Sequence, residues 1–210
     1  MKGEIVVLVH GFFKGPRDMN YLARGLKDAG FETFSPDLPT TLGSLEDCVD
    51  SLRIQVSGLE GAGVIHYVAH SMGGLIIRAY LAGSGARNVS RCVFISTPHG
   101  GSGLAAIAEK IPFYSSVFQP VQAILPGRGY QRFKKKGQFR LGIIAGNRNS
   151  GVLGKLFLKG PGDGRVEVDC ASAEDADEFL VLPFGHKDIH HQYRTLVNVA
   201  EFLRCGSFKN

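Results

Sequence analysis

Val68-Ala69-His70-Ser71-Met72-Gly73-Gly74 follows a β-rich run, Val64–Ala69, and leads into a compact apolar helical pattern, Leu75 to Leu81. A serine in small-x-Ser-x-Gly between strand and helix marks a turn sharp enough to lift Oγ out of the sheet edge. Such a turn leaves no room for side chains two residues before or after the serine. Those two places hold Ala69 and Gly73. The pattern arises easily by chance in a chain with 28 glycines, but its seat between a Val-rich strand and an apolar helix removes most accidents.

Moving outward, short β-rich apolar runs recur at Glu4–Val9, Phe31–Ser35, Val64–Ala69, Arg91–Ser96, Arg140–Ala145 and Glu178–Pro183. Helical patterns separate several of them. Met19, Leu22, Ala23 and Leu26 recur at helical spacing, and Gly30 is placed to end that helix. Ser44 followed by Asp47 resembles a capping box, ahead of an apolar stripe of Leu45, Cys48, Val49, Leu52 and Val56. Tyr193, Leu196, Val197, Ala200 and Leu203 form a closing helix. Parallel neighbours need crossover connections, so this alternation predicts an α/β fold: a mostly parallel sheet of about six strands with helices on both faces.

The 210 residues suit a single domain, 1–210, with a sizeable core. No apolar run approaches the roughly 20 residues that span a bilayer. The short N-terminal run lacks a cleavage site, so the chain as given reads as cytoplasmic. Cys48, Cys92, Cys170 and Cys205 are scattered without a CxxC, which predicts buried free thiols rather than a disulfide framework or metal site. The net charge of +5 is densest at Arg128, Arg132, Lys134, Lys135, Lys136 and Arg140, a solvated face with no nucleic-acid motif beside it.

Five matches, in chain order, span nearly the whole sequence: His10-Gly11-Phe12, Ala69-His70-Ser71-Met72-Gly73-Gly74, Ser96-Thr97-Pro98-His99-Gly100-Gly101-Ser102, Asp163-Gly164-Arg165-Val166 and Gly185-His186. With them the chain resembles small lipases and esterases of the α/β-hydrolase superfamily, in particular short bacterial hydrolases related to triacylglycerol lipases and GPI-inositol-deacylase-like proteins. The usual first glycine of the elbow is Ala69 here.

The resemblance implies Ser71 as nucleophile, with oxyanion donors at the backbone N–H groups of Met72 and Phe12. The superfamily's order places an acid, then a histidine after the last strand. Of seven histidines, His186 follows the last run by a short turn; His190, at the start of the closing helix, is its rival. His10 belongs to the oxyanion loop and His70 to the elbow, beside the nucleophile in sequence but pointing elsewhere, while His66 and His99 read as structural. Asp163, between Gly162 and Gly164, matches the acid pattern; Asp169, Asp175, Asp177 and Asp188 are rivals. Asp188 corresponds to a calcium-binding place in some larger lipases, but with no second ligand in view no metal is assigned. His10, Ser71, Thr97, Asp163 and His186 all follow predicted strands, as sites in open parallel sheets do.

The resemblance therefore implies cleavage of carboxylic esters by a cofactor-free, two-step acyl transfer. Thioester hydrolysis or acyl transfer by the same triad remains open, as does an inactive binding protein of this fold. Gly103 to Phe139 is expected to form a helical cap lining an acyl groove. Its Leu104, Ile107, Ile111, Phe113, Tyr114, Val117 and Phe118 would join Phe12 and Phe13, with the basic part facing solvent or an anionic lipid surface; a packed helix of the core layer is an equal alternative. The expected partner is a small-molecule or lipid ester and not a nucleic acid; oligomeric state is not legible.

Overall fold

A computed structural model describes residues 3–59, 61, 63–84, 88–102, 138–149, 158 and 160–209. The expected cap up to residue 137, the basic run short of Arg140, and much of the Gly-rich stretch after Gly146 lie outside the described residues; the cap's last residue, Phe139, is buried in the core. In chain order the described elements are β1 (Glu4–Val9), α1 (Asn20–Asp28), β2 (Glu32–Phe34), α2 (Leu45–Val56), β3 (Val64–His70), α3 (Gly73–Ser84), β4 (Val89–Ile95), β5 (Arg140–Gly146), α4 (Val168–Ala171), β6 (Glu178–Leu182) and α5 (Tyr193–Cys205).

The strands form one sheet in the order β2-β1-β3-β4-β5-β6, every neighbouring pair parallel. Side chains alternate across a strand. Ile5, Val7 and Val9 of β1 therefore join Tyr67, Ala69 and Phe94 beneath α2 and α3, whereas Val6 and Leu8 join Val68, Val93 and Ile95 beneath α1 and α5. Burial on both faces explains why these strands read as continuous apolar runs rather than alternating ones. Each fully buried Leu or Ile side chain contributes about 1.5–3 kcal/mol.

Local chemistry sets several boundaries. Ser44 Oγ accepts from Asp47 N at 3.0 Å while Asp47 Oδ2 accepts from Ser44 N at 2.8 Å, so Asp closes the capping box at the start of α2. A 3₁₀ turn over Pro16–Met19 precedes α1, leaving Met19 at the N-cap rather than inside the helix. β2 is shorter than its apolar run, because Phe31 packs in the core ahead of the strand and accepts no place in the ladder. The thiols are free, but only Cys48 and Cys92 are buried; Cys170 is half-buried and Cys205 exposed, since the latter two sit on a short surface turn and at the last residue of α5. Among the described residues, no helix is long and apolar enough to cross a membrane.

Chain order reverses between β1 and β3: β1 leads outward to β2, and β3 leads the other way to β4. In open α/β sheets the crevice outside the carboxyl ends of such a strand pair is where ligands bind. His10 and Ser71 are the residues that follow these two strands.

Candidate active site

Ser71 leaves β3 in the left-handed region, φ 55°, with its N–H donating to Ile95 O at 2.8 Å. The turn brings the start of α3 against the end of β1. A Cβ on Gly73 would lie 2.6 Å from Val9 O and 2.8 Å from His10 O, so only glycine fits two residues after the serine. Thr97 Oγ1, beyond β4, donates to Ser71 O at 2.9 Å and pins the turn from the other side.

The loop after β1 lies directly against this serine: a Cβ on Gly11 would stand 3.0 Å from Ser71 Cβ. Buried His10 holds that loop. Its Nε2 accepts from Leu38 N at 3.3 Å, which leaves the proton on Nδ1, 3.2 Å from Gly11 O and 3.3 Å from Thr40 Oγ1. Burial lowers the His10 pKa, so the ring is a neutral strut. Phe12 packs partly buried against the core, and Phe13, at φ 59° and 53% exposed, meets it edge-on at 4.6 Å. Met72 is buried immediately before α3.

His186 Nε2 lies 3.0 Å from Ser71 Oγ, and His186 Nδ1 lies 2.8 Å from Asp163 Oδ2. The other carboxylate oxygen of Asp163 accepts from Arg165 N at 3.0 Å and Val166 N at 2.8 Å, and His186 N donates to Asp163 O at 2.9 Å. The Asp-Gly turn thus aims the carboxylate while its carbonyl holds the histidine's own backbone. Burial pushes the Asp163 carboxyl up, but the His186 ring and the Val166 N–H outweigh it, and the net direction is down. Asp163 and His186 are both buried beneath the serine.

The rivals are engaged elsewhere. His190 stacks on His70 at 3.8 Å with Nε2 3.1 Å from Asp18 Oδ2, away from Ser71. Asp175 makes a bidentate pair with Arg78 at 2.8 Å, Asp177 Oδ2 accepts from Leu141 N at 2.6 Å, and Asp188 precedes the 3₁₀ turn Ile189–His191. Asp169 lies in the single turn of α4. His66 is buried within β3, 3.5 Å from Glu4 Oε2. His99 is buried with Nδ1 2.6 Å from Ala171 O, which ties the loop after β4 to α4, the turn that follows the loop carrying Asp163. Ser102 Oγ adds a second tie, donating to Arg165 O at 3.0 Å.

The sequence pattern of the alpha/beta hydrolase family matches residues 6–196. This chain belongs to that family. The alpha/beta hydrolase resembles a lipase of Bacillus licheniformis in its mature form, with a TM-score of 0.83 at 19% identity over 99% of this chain and 93% of the other. It also resembles a metagenomic carboxyl esterase, with a TM-score of 0.70 at 16% identity over 89% of this chain and 65% of that one. A bromoperoxidase from Bacillus anthracis shares the fold, with a TM-score of 0.70 at 15% identity over 96% and 92% of the two chains. No curated protein matches the sequence. Family membership supports hydrolase activity.

The sequence placed His10 in the oxyanion loop and read His99 as structural, but not the contacts by which His10, Thr97 and His99 position the site. Their signal was weak but present, because each stands in a short polar stretch directly after a strand.

Proposed function

We propose that this hydrolase cleaves carboxylic esters through Ser71, His186 and Asp163. One observation carries the reading: the unbroken hydrogen-bond chain from Asp163 through His186 to Ser71 Oγ at the switch point of the sheet. His186 Nε2 removes the Oγ proton as the oxygen attacks the ester carbonyl. The proton bound at His186 Nδ1 faces the Asp163 carboxylate, which keeps the imidazole in the tautomer that leaves Nε2 basic. The backbone N–H groups of Phe12 and Met72 stabilise the oxyanion; losing one such donor typically costs about 3–4 kcal/mol. Collapse of the tetrahedral adduct breaks the carbonyl–alkoxide bond, and the proton on His186 passes to the departing alcohol. Water, losing a proton to His186, then attacks the acyl-enzyme; the bond from the acyl carbon to Ser71 Oγ breaks, the proton on His186 returns to Oγ, and the acid is freed. Phe12 and the exposed Phe13 give apolar surface beside the serine that suits an acyl group.

The test is a fluorophosphonate probe together with p-nitrophenyl esters graded from C2 to C16, run beside acyl-CoAs. The native protein should be labelled at Ser71, and Ser71→Ala should lose labelling and about 10⁶-fold in turnover. Asp163→Asn should fold yet lose about 10⁴-fold through the wrong tautomer. His186→Ala should be as damaging as Ser71→Ala, and His190→Ala should retain turnover. Labelling at another serine, or undiminished turnover in Ser71→Ala, would overturn the reading. Acyl-CoAs cleaved in preference to every ester would replace the ester by a thioester.

A further inference from the structure

Behind the His186 loop, and outside the chain of hydrogen bonds at Ser71, three residues far apart in sequence meet. Asp18, His70 and His190 each offer one ligand atom, all within 4.8 Å of one another. They come from the turn before α1, the last residue of β3, and the 3₁₀ turn Ile189–His191.

The hydrogen bonding of His70 leaves the cluster incomplete. Its Nε2 lies 2.9 Å from His186 O, and a carbonyl only accepts, so the proton of neutral His70 resides on Nε2. Nδ1 is then a bare lone pair. It is buried with no hydrogen-bond partner, and its ion-pair distance to Asp18 Oδ2, another acceptor, is 3.9 Å. Two acceptors face one another across a buried gap.

We propose that Asp18, His70 and His190 bind a divalent transition-metal ion of the zinc class, through Asp18 Oδ2, His70 Nδ1 and His190 Nε2. Two imidazoles and one carboxylate are a borderline-soft donor set that suits zinc better than calcium or magnesium. Lys14 Nζ, at 3.0 Å, and His191 Nε2, at 3.9 Å, face the other oxygen of Asp18, while Oδ2 accepts from His190 Nε2 at 3.1 Å; an ion would replace that hydrogen bond, the His190 proton moving to its buried, unpartnered Nδ1. At zinc distances tetrahedral ligand atoms stand about 3.3 Å apart, so the site contracts on binding. The His190 ring must also turn out of its 19° stack with His70, because an imidazole lone pair lies in its ring plane. The ion would clip together the segments that carry the oxyanion loop, Ser71 and His186.

Untagged protein freed of metal with a chelator is titrated with zinc, and with cobalt(II) followed by visible absorption, and bound metal is counted by mass spectrometry. One ion per chain is expected, with a melting temperature that rises with zinc concentration. Asp18→Asn and His190→Gln should each weaken binding by about a hundred-fold or more. Ring-nitrogen NMR of the wild-type protein gives a readout independent of variant folding: zinc should shift His70 Nδ1 and His190 Nε2. Substoichiometric binding, variants that bind as wild type does, or unmoved ring nitrogens would each overturn the site and leave the gap to water.

Discussion

Ser71 shows how one backbone angle bears on stability. At φ 55° a residue with a Cβ carries about 1–2 kcal/mol of strain, held here by Ile95 O, Thr97 and the close fit of Gly73. Glycine adopts this angle without that penalty but loses about 0.5–1 kcal/mol more in backbone entropy. Ser71→Gly should therefore be more stable than Ser71→Ala by about 0.5–1 kcal/mol. Urea unfolding of the two variants checks it, with equal slopes and a higher midpoint for glycine expected. A lower midpoint for glycine would mean that the turn stores no strain.

At the scale of elements, sequence patterns worked where the physics is local. Val64–Ala69 read as a strand because both faces of β3 are buried, and α2 read as a helix from its apolar stripe and its Ser44–Asp47 cap. The cap also yields a measurable consequence. Ser44→Ala leaves Asp47 N without its side-chain acceptor and should cost about 1 kcal/mol. Because α2 packs on α3 through Cys48, Leu52 and Val56, the loss should appear as a lower global midpoint rather than as fraying of one helix. Chemical denaturation monitored by both circular dichroism and tyrosine fluorescence distinguishes the two: coincident transitions are expected.

For the whole molecule, buried histidines govern the response to acid. Burial pushes His99 down to about 3, and it also lowers His10, His66 and His70, so the folded chain keeps these rings neutral. The unfolded chain protonates them below its ordinary histidine pKa of about 6.5. Between those limits the unfolded state binds more protons, so stability falls as pH falls, starting near pH 6.5. The depressed carboxyls of Asp18 and Asp163 add a second loss only below about pH 4. His99 alone should contribute a slope of about 1.4 kcal/mol per pH unit between roughly pH 6 and 4. His99→Asn, whose amide can donate to Ala171 O in place of Nδ1, should flatten the stability curve by that amount. Unfolding free energies measured across pH 4–7 test it, and an unchanged slope would assign the acid sensitivity to the other rings.

The sequence by itself determined the elements and their tight turns, because strand and helix patterns, small residues around a tight turn, and an Asp-Gly loop act over a few neighbours. It pointed to Ser71, Asp163 and His186 one at a time, and left His190 standing as a rival. Tertiary structure decided which of them meet. Ser71 and His186 are 115 positions apart, and Asp18 and His190 are 172 apart. Their contact depends on the strand order β2-β1-β3-β4-β5-β6, which brings the carboxyl ends of distant strands to one edge. No local pattern encodes that order. It is the collective result of burying both faces of the sheet at once, and it sends His186 to the serine and His190 to Asp18 although only four positions separate them.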